Sequence, residues 1–291
     1  MSGEGYLSRY YSAPDGLRLH YREYGDALRP GTPILCLPGL VRNSVDFHEF
    51  ALRHADSHRV LAPDLRGRGL SAYDPDYRKY HPLTYAIDIT ALLTLTNCHS
   101  AVVVGTSLGG IMAMALATIA PTALAAVVLN DIGPDVDNRG IERIRSYVGK
   151  PITSMTVEEA AKAQAEQFGQ AFPDYTNADW LAEVRRTYKV GEDGRVALNY
   201  DPGISRAMAE QTADTPDLWP YFRALRHVPV LSLRGERSDI LAKETVARMA
   251  EEHGNMRAVE VPDRGHTPTL GEPMVVKAIE ELLQPFRARH D

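Results

Sequence analysis

One serine stands between glycines where an apolar run meets a helical one. In "VVVGTSLGGIMAMA" (102–115), Gly105 and Gly109 lie two residues before and two after Ser107. A residue forced into a tight strand-to-helix turn needs neighbours without bulk, because strand and helix crowd it from both sides. The G-x-S-x-G spacing is that of a nucleophile elbow, which lifts a serine hydroxyl above the edge of a sheet. A serine is a weak nucleophile by itself. It needs a base to take its proton, a carboxylate to orient that base, and N–H donors to hold the oxyanion that forms.

The candidate base is His266, in "VPDRGHTPTLGEP", on a Gly- and Pro-shaped loop just beyond the last strand-like segment. In a parallel sheet such loops converge at the carboxyl edge, where ligands bind. Two aspartates compete for the acid. Asp239, in "LSLRGERSDILAKE", follows one strand-like run, and Asp131, in "VVLNDIGPD", follows another. Asp239 is the expected acid and Asp131 the alternative, with Glu236 a weaker third. The expected oxyanion donors are backbone N–H groups: that of Leu108, at the helix N-terminus after the nucleophile, and that of Leu40, after Pro38-Gly39.

These residues need a scaffold. Apolar strand-like runs ("TPILCLPG", "HRVLAPD", "SAVVVGTS", "ALAAVVLND", "VPVLSLRG", "MRAVEVPD") alternate with helical patterns. That alternation predicts a mostly parallel sheet covered on both faces. "RYYSAPDGLRLHYREYG" predicts a hairpin, with Pro14-Asp15-Gly16 as its turn. From about Pro134 to Asp217 the alternation stops, leaving only helical patterns and turns, with Thr156 and Thr176 or Asn177 as N-caps. The expected organisation is therefore an α/β core of residues 1–133 and 218–291, interrupted by a helical insertion of residues 134–217.

Composition excludes other classes. The 291 residues are 44% hydrophobic and 24% charged, ordinary values for a globular chain with a large core. A net charge of −6 without a basic run speaks against nucleic acid as a partner. No apolar run reaches membrane-spanning length, and the N-terminal stretch lacks the apolar region of a secretory signal. The two cysteines, Cys36 and Cys98, sit in apolar settings far apart. They read as buried thiols of a reducing compartment, so a cytoplasmic location is expected. His54 and His58 have a chelating spacing, but no HExxH or carboxylate cluster accompanies them. They are read as part of a solvated helix face, and no metal is expected.

Taken together, "LPGL", "PDLRGRGLS", "GTSLGG", "RGERSD" and "RGHTP" resemble the α/β-hydrolase superfamily over nearly the whole chain. The resemblance implies an eight-stranded, mostly parallel sheet and a helical lid after the sixth strand. It also implies the chain order serine, acid, histidine. The activity it implies is that of an esterase- or lactonase-like hydrolase without a cofactor, acting on a small molecule as a monomer or homodimer. Carbon–carbon bond hydrolysis, cofactor-free haloperoxidase or dioxygenase chemistry, and a non-catalytic ligand receptor occur on the same fold. Two departures stand out. Pro38 replaces the usual histidine of the oxyanion loop, and Asp239 lies four residues beyond Gly235 where three is commoner. Asp64, Arg66 and Arg68 are read as bracing residues. Arg42 is the charge expected to touch substrate. Tyr147, Trp180 and Tyr188 either line an acyl or leaving-group pocket or form the core of the lid.

Overall fold

The computed structural model describes residues 5–28, 31–150, 152, 154–210 and 217–288. The N-terminal tip read for a leader, and residues 211–216 at the far border of the expected insertion, lie outside these. One sheet of eight strands organises the chain. The strands are β1 (Tyr6–Ser12), β2 (Arg18–Tyr24), β3 (Ile34–Leu37), β4 (Val60–Pro63), β5 (Ala101–Thr106), β6 (Leu124–Asn130), β9 (Val230–Gly235) and β10 (Met256–Val261). Their order is β1-β2-β4-β3-β5-β6-β9-β10. β1 pairs antiparallel with β2, and β2 with β4; the other pairs are parallel. The first hairpin turns where expected: Gly16 sits at φ +86°, and the Ala13 N–H donates to the Leu17 carbonyl at 2.8 Å.

Both faces are buried, and strand alternation divides the side chains between them. Leu35, Leu37, Val103, Val127 and Leu129 face one core, with helices α2 (Pro82–Leu95) and α3 (Leu108–Ile119). Ile34, Cys36, Val102, Val104, Ala126 and Val128 face the other, with α1 (His48–His54) and α10 (Pro273–Leu283). Cys36 and Cys98 are buried and free. Helices α8 (Trp219–Arg223) and α9 (Lys243–His253) complete the layers.

Between β6 and α8 lie α4 (Asn138–Tyr147), α5 (Val157–Phe168), α6 (Asn177–Thr187) and α7 (Gly203–Glu210). Thr156 and Thr176 each close a capping box, with Glu159 and Asp179 respectively, so both caps are local choices of the sequence. The segment is not wholly helical. Tyr188–Val190 (β7) and Val196–Leu198 (β8) form a two-stranded antiparallel hairpin. "GEDGR" is its loop: Gly191 N–H donates to the Arg195 carbonyl at 2.8 Å, and Gly194 takes φ +74°. A helical period overlooks three-residue strands, because they are too short to show alternation.

The histidine pair also differs from expectation. His54 and His58 are buried, 2% and 0% exposed, rather than on a solvated face. His58 Nδ1 donates to the Thr32 carbonyl at 2.8 Å, and burial pushes the His54 imidazole down to about 4. Both are core residues that tie α1 and the loop after it to their neighbours. No group of metal-ligating side chains occurs among the described residues, and no helix among them is long and apolar enough to cross a membrane.

Candidate active site

Ser107 occupies the turn between β5 and α3 at φ 52° and ψ −115°, a backbone conformation that L-residues adopt at a cost. The flanking glycines make the turn possible. A Cβ on Gly105 would stand 2.5 Å from the Gly109 carbonyl oxygen, and one on Gly109 would stand 2.0 Å from that of Leu37. Strand and helix therefore approach more closely than any side chain permits. Leu108 is the first residue of α3, so its N–H has no acceptor within the helix and adds to the positive end of the helix dipole.

His266 reaches the serine from the other side of the sheet edge. Its Nε2 lies 2.9 Å from Ser107 Oγ, and its Nδ1 lies 2.8 Å from Asp131 Oδ2. The carboxylate faces Nδ1, so Nδ1 carries the proton and Nε2 is left to accept from the serine. Gly235 allows the histidine loop this close, since a Cβ there would meet the Arg264 and Gly265 carbonyl oxygens at 2.5 Å each. Asn130 Nδ2 donates to the Pro268 carbonyl at 3.0 Å and ties the same loop to the end of β6.

The carboxylate on His266 is thus Asp131, where Asp239 had been expected. Asp131 directly follows β6 at φ 56° and is 0% exposed. Its Oδ1 accepts the Gly235 N–H at 2.8 Å, and its Oδ2 accepts the Ser238 hydroxyl at 2.7 Å as well as the imidazole N–H. Asp239 turns instead toward α4, where Arg143 grips it with two hydrogen bonds of 2.5 and 2.8 Å. Burial raises the Asp239 carboxyl, but the guanidinium outweighs burial and holds it below the usual carboxylate range. Asp239, four residues beyond Gly235, lies past the histidine. Ser238 stands at the third position instead, a site that sequence reading passed over although the spacing pointed to it. Glu236 accepts the Asp263 N–H at 3.0 Å in an exposed turn.

Ser107 and His266 open into a cavity of about 360 Å³. Gly39, Leu40 and Arg42 line it from the loop after β3, and Tyr147, Phe168 and Tyr188 from the segment between β6 and α8. The loop after β3 is braced from beneath: buried Arg68 donates from Nε to the Leu40 carbonyl at 2.9 Å and from Nη1 to the Tyr85 hydroxyl at 2.8 Å. Asp64 accepts the Ser44 N–H at 2.7 Å and the Leu70 N–H at 2.9 Å, and Arg66 pairs with Asp88 at 2.7 Å. These three residues hold loops.

Two of the expected substrate contacts have protein partners of their own. Arg42 lines the cavity, but its guanidinium is engaged by protein groups: Asp46 at 2.7 and 2.6 Å, Glu183 at 2.6 Å and Thr187 at 2.5 Å. Burial opposes its charge, yet the two carboxylates raise its pKa well above the ordinary value. It binds α6 to the loop after β3. Trp180 is 6% exposed and packs with Val157, Ala161 and Val184 inside the insertion, its ring 4.9 Å from that of Tyr175. An amphipathic helix with a single tryptophan buries that ring against its nearest apolar partners, here those of α5.

Known proteins are similar to this chain in sequence and fold. The model of the alpha/beta hydrolase family matches residues 34–278. The chain is 34% identical to the 3-hydroxybutyrate-oligomer hydrolase of Cupriavidus necator over 271 residues, covering 90% of this chain and 91% of that protein. It is 28% identical to the 2-(acetamidomethylene)succinate hydrolase of Mesorhizobium japonicum, covering 86% and 85%. Among solved structures, an alpha/beta hydrolase from Novosphingobium aromaticivorans superposes with a TM-score of 0.90 at 46% identity, over 96% of this chain and 98% of that one. With a family match that spans β3 to α10 and relatives aligned over nearly their full lengths, the chain belongs to the alpha/beta hydrolase family and is one of its esterase-like hydrolases.

Proposed function

We propose that this hydrolase cleaves a carboxylic ester of a small organic substrate through an acyl-enzyme on Ser107. The observation that carries the reading is the chain of hydrogen bonds Ser107–His266–Asp131, at 2.9 and 2.8 Å, opening into the cavity. In the first step Ser107 Oγ attacks the acyl carbonyl while His266 Nε2 takes its proton. Asp131 holds the ring in the productive tautomer and stabilises the imidazolium. The N–H groups of Leu108 and Leu40 stabilise the tetrahedral oxyanion. His266 then protonates the departing alkoxide. Water, activated by the same base, releases the acid and restores the serine.

The segment from α4 to α7 acts as a lid in this reading. It contributes Tyr147, Phe168, Phe172 and Tyr188 to the cavity, so the acyl or alcohol part of the substrate meets aromatic walls while water is kept from the serine. The relative in Cupriavidus necator is named for oligomers of a hydroxy acid, and hydroxy acids join through ester bonds. An ester of a small hydroxy acid is the substrate class this favours here. Lys150 also lines the cavity, and among the described residues it takes part in no ion pair, so it offers a cation to a substrate carboxylate. The free buried thiols fit a reducing compartment, and a cytoplasmic site of action is part of this proposal.

The test is covalent. A fluorophosphonate labels the wild type at Ser107, and Ser107→Ala loses both labelling and p-nitrophenyl ester turnover by several orders of magnitude while keeping its fold. Labelling elsewhere, or full turnover by Ser107→Ala, overturns the serine mechanism. Saturable binding of esters without labelling or turnover points to a receptor instead.

A further inference from the structure

We propose that Ser238 is a positioning residue for the reaction, holding Asp131 in the orientation that His266 needs. The proposal rests on the serine-hydrolase reading. A hydroxyl has one proton and two acceptor sites. The acceptor side of Ser238 Oγ faces the backbone N–H groups of Ile240, at 3.2 Å, and Leu241, at 3.1 Å. Its single proton is therefore left to point at Asp131 Oδ2, 2.7 Å away. That is the oxygen to which His266 Nδ1 donates. The other oxygen, Oδ1, is held by the Gly235 N–H at 2.8 Å. The carboxylate cannot rotate without giving up one of these bonds, and it is fully buried, so no water replaces a lost donor cheaply.

The backbone fixes Ser238 in turn, since its N–H donates to the Gly235 carbonyl at 3.0 Å. The loop after β9 thus contributes to the acid without supplying it. It provides one N–H and one hydroxyl, both aimed at a carboxylate carried by the loop after β6. A hydrogen bond to a charged group is worth more than one between neutral groups, and its loss here loosens the partner of the general base.

The experiment measures steady-state hydrolysis of p-nitrophenyl acetate by Ser238→Ala, Ser238→Thr and both changes placed in an Asp131→Asn background. Ser238→Ala is expected to lower kcat roughly tenfold with KM nearly unchanged, because the hydroxyl supports the base and touches no substrate. Ser238→Thr keeps the hydroxyl and is expected to stay within about threefold of wild type. In the Asp131→Asn background the further effect of Ser238→Ala is expected to fall to about twofold or less, because its route to His266 has been cut. Wild-type kcat in Ser238→Ala, equal losses in the alanine and threonine variants, or an undiminished loss in the Asp131→Asn background each overturn the proposal. Ser107→Ala and Asp131→Asn are measured beside them. If those two are slowed by orders of magnitude while Ser238→Ala keeps the wild-type kcat, only the role of Ser238 fails. If Ser107→Ala turns over normally, both readings fail together.

Discussion

Two loops leave the carboxyl edge of the sheet side by side, each carrying an aspartate, and they put it to different uses. The loop after β6 delivers Asp131 in a single step: its N–H still bonds to the β9 carbonyl of Leu233 at 2.8 Å, so the residue is a continuation of the strand. Its carboxylate points inward and is surrounded by donors. The loop after β9 runs on toward the insertion. There the Asp239 carbonyl accepts the Gly140 N–H at 3.1 Å, the Ile240 carbonyl accepts the Asp137 N–H at 2.9 Å, and the Asp239 side chain takes Arg143. One loop supplies the carboxylate that meets His266; the other fastens α4 to the core. The same residue type at equivalent strand ends acquires its role from what the neighbouring elements offer it.

The sharpest way to break this contrast is to neutralise each carboxylate in turn. Asp131→Asn is expected to lower kcat by about 10⁴, the order seen when a triad histidine loses its tautomer-fixing acid in the chymotrypsin system. Asp239→Asn is expected to cost about tenfold or less, through loop packing alone. Steady-state ester kinetics of the two variants settle it. A dead Asp239→Asn enzyme beside an active Asp131→Asn enzyme reverses the assignment.

The fastening itself can be probed at Gly140. In a helix interior alanine is ordinarily better than glycine by about 1 kcal/mol. Here a Cβ on Gly140 would stand 2.3 Å from Ile240 Cδ1 and 2.6 Å from the Asp239 carbonyl oxygen. Overpacking against backbone costs about 1–3 kcal/mol, so the clash wins and Gly140→Ala should lower the unfolding midpoint in urea. A raised midpoint would show that the loop after β9 does not clasp α4 closely.

The smallest effect belongs to the Arg143–Asp239 ion pair. Both side chains are about a third exposed, 29% and 33%, so solvent screens the pair and a double-mutant cycle should return about 0.2–1 kcal/mol at neutral pH. The folded Asp239 carboxyl is held below its ordinary value, so the contribution is fully present above about pH 4. It is lost as the pH falls through the lowered value, where the folded protein takes up the proton. A coupling that persists unchanged in strong acid contradicts the pairing.

Local chemistry in the sequence determined a good deal. The glycine spacing around Ser107 set the elbow, apolar runs set the strands, Thr156 and Thr176 set helix starts, and a Gly-Pro loop set the place of His266. Each of these depends on a few adjacent residues, because backbone conformation answers to local sterics and capping. The partners of His266 are another matter. His266 meets Ser107 across 159 residues of chain and Asp131 across 135, while Arg143 meets Asp239 across 96. Asp131 reaches the imidazole, while Asp239 is taken by a guanidinium from a helix far along the chain. The engagement of Arg42 by Glu183, the enclosure of Trp180 against α5, and the burial of His54 and His58 were decided in the same way. A side chain's partner is whatever the packed elements bring within about 3 Å of it, and no local pattern carries that distance.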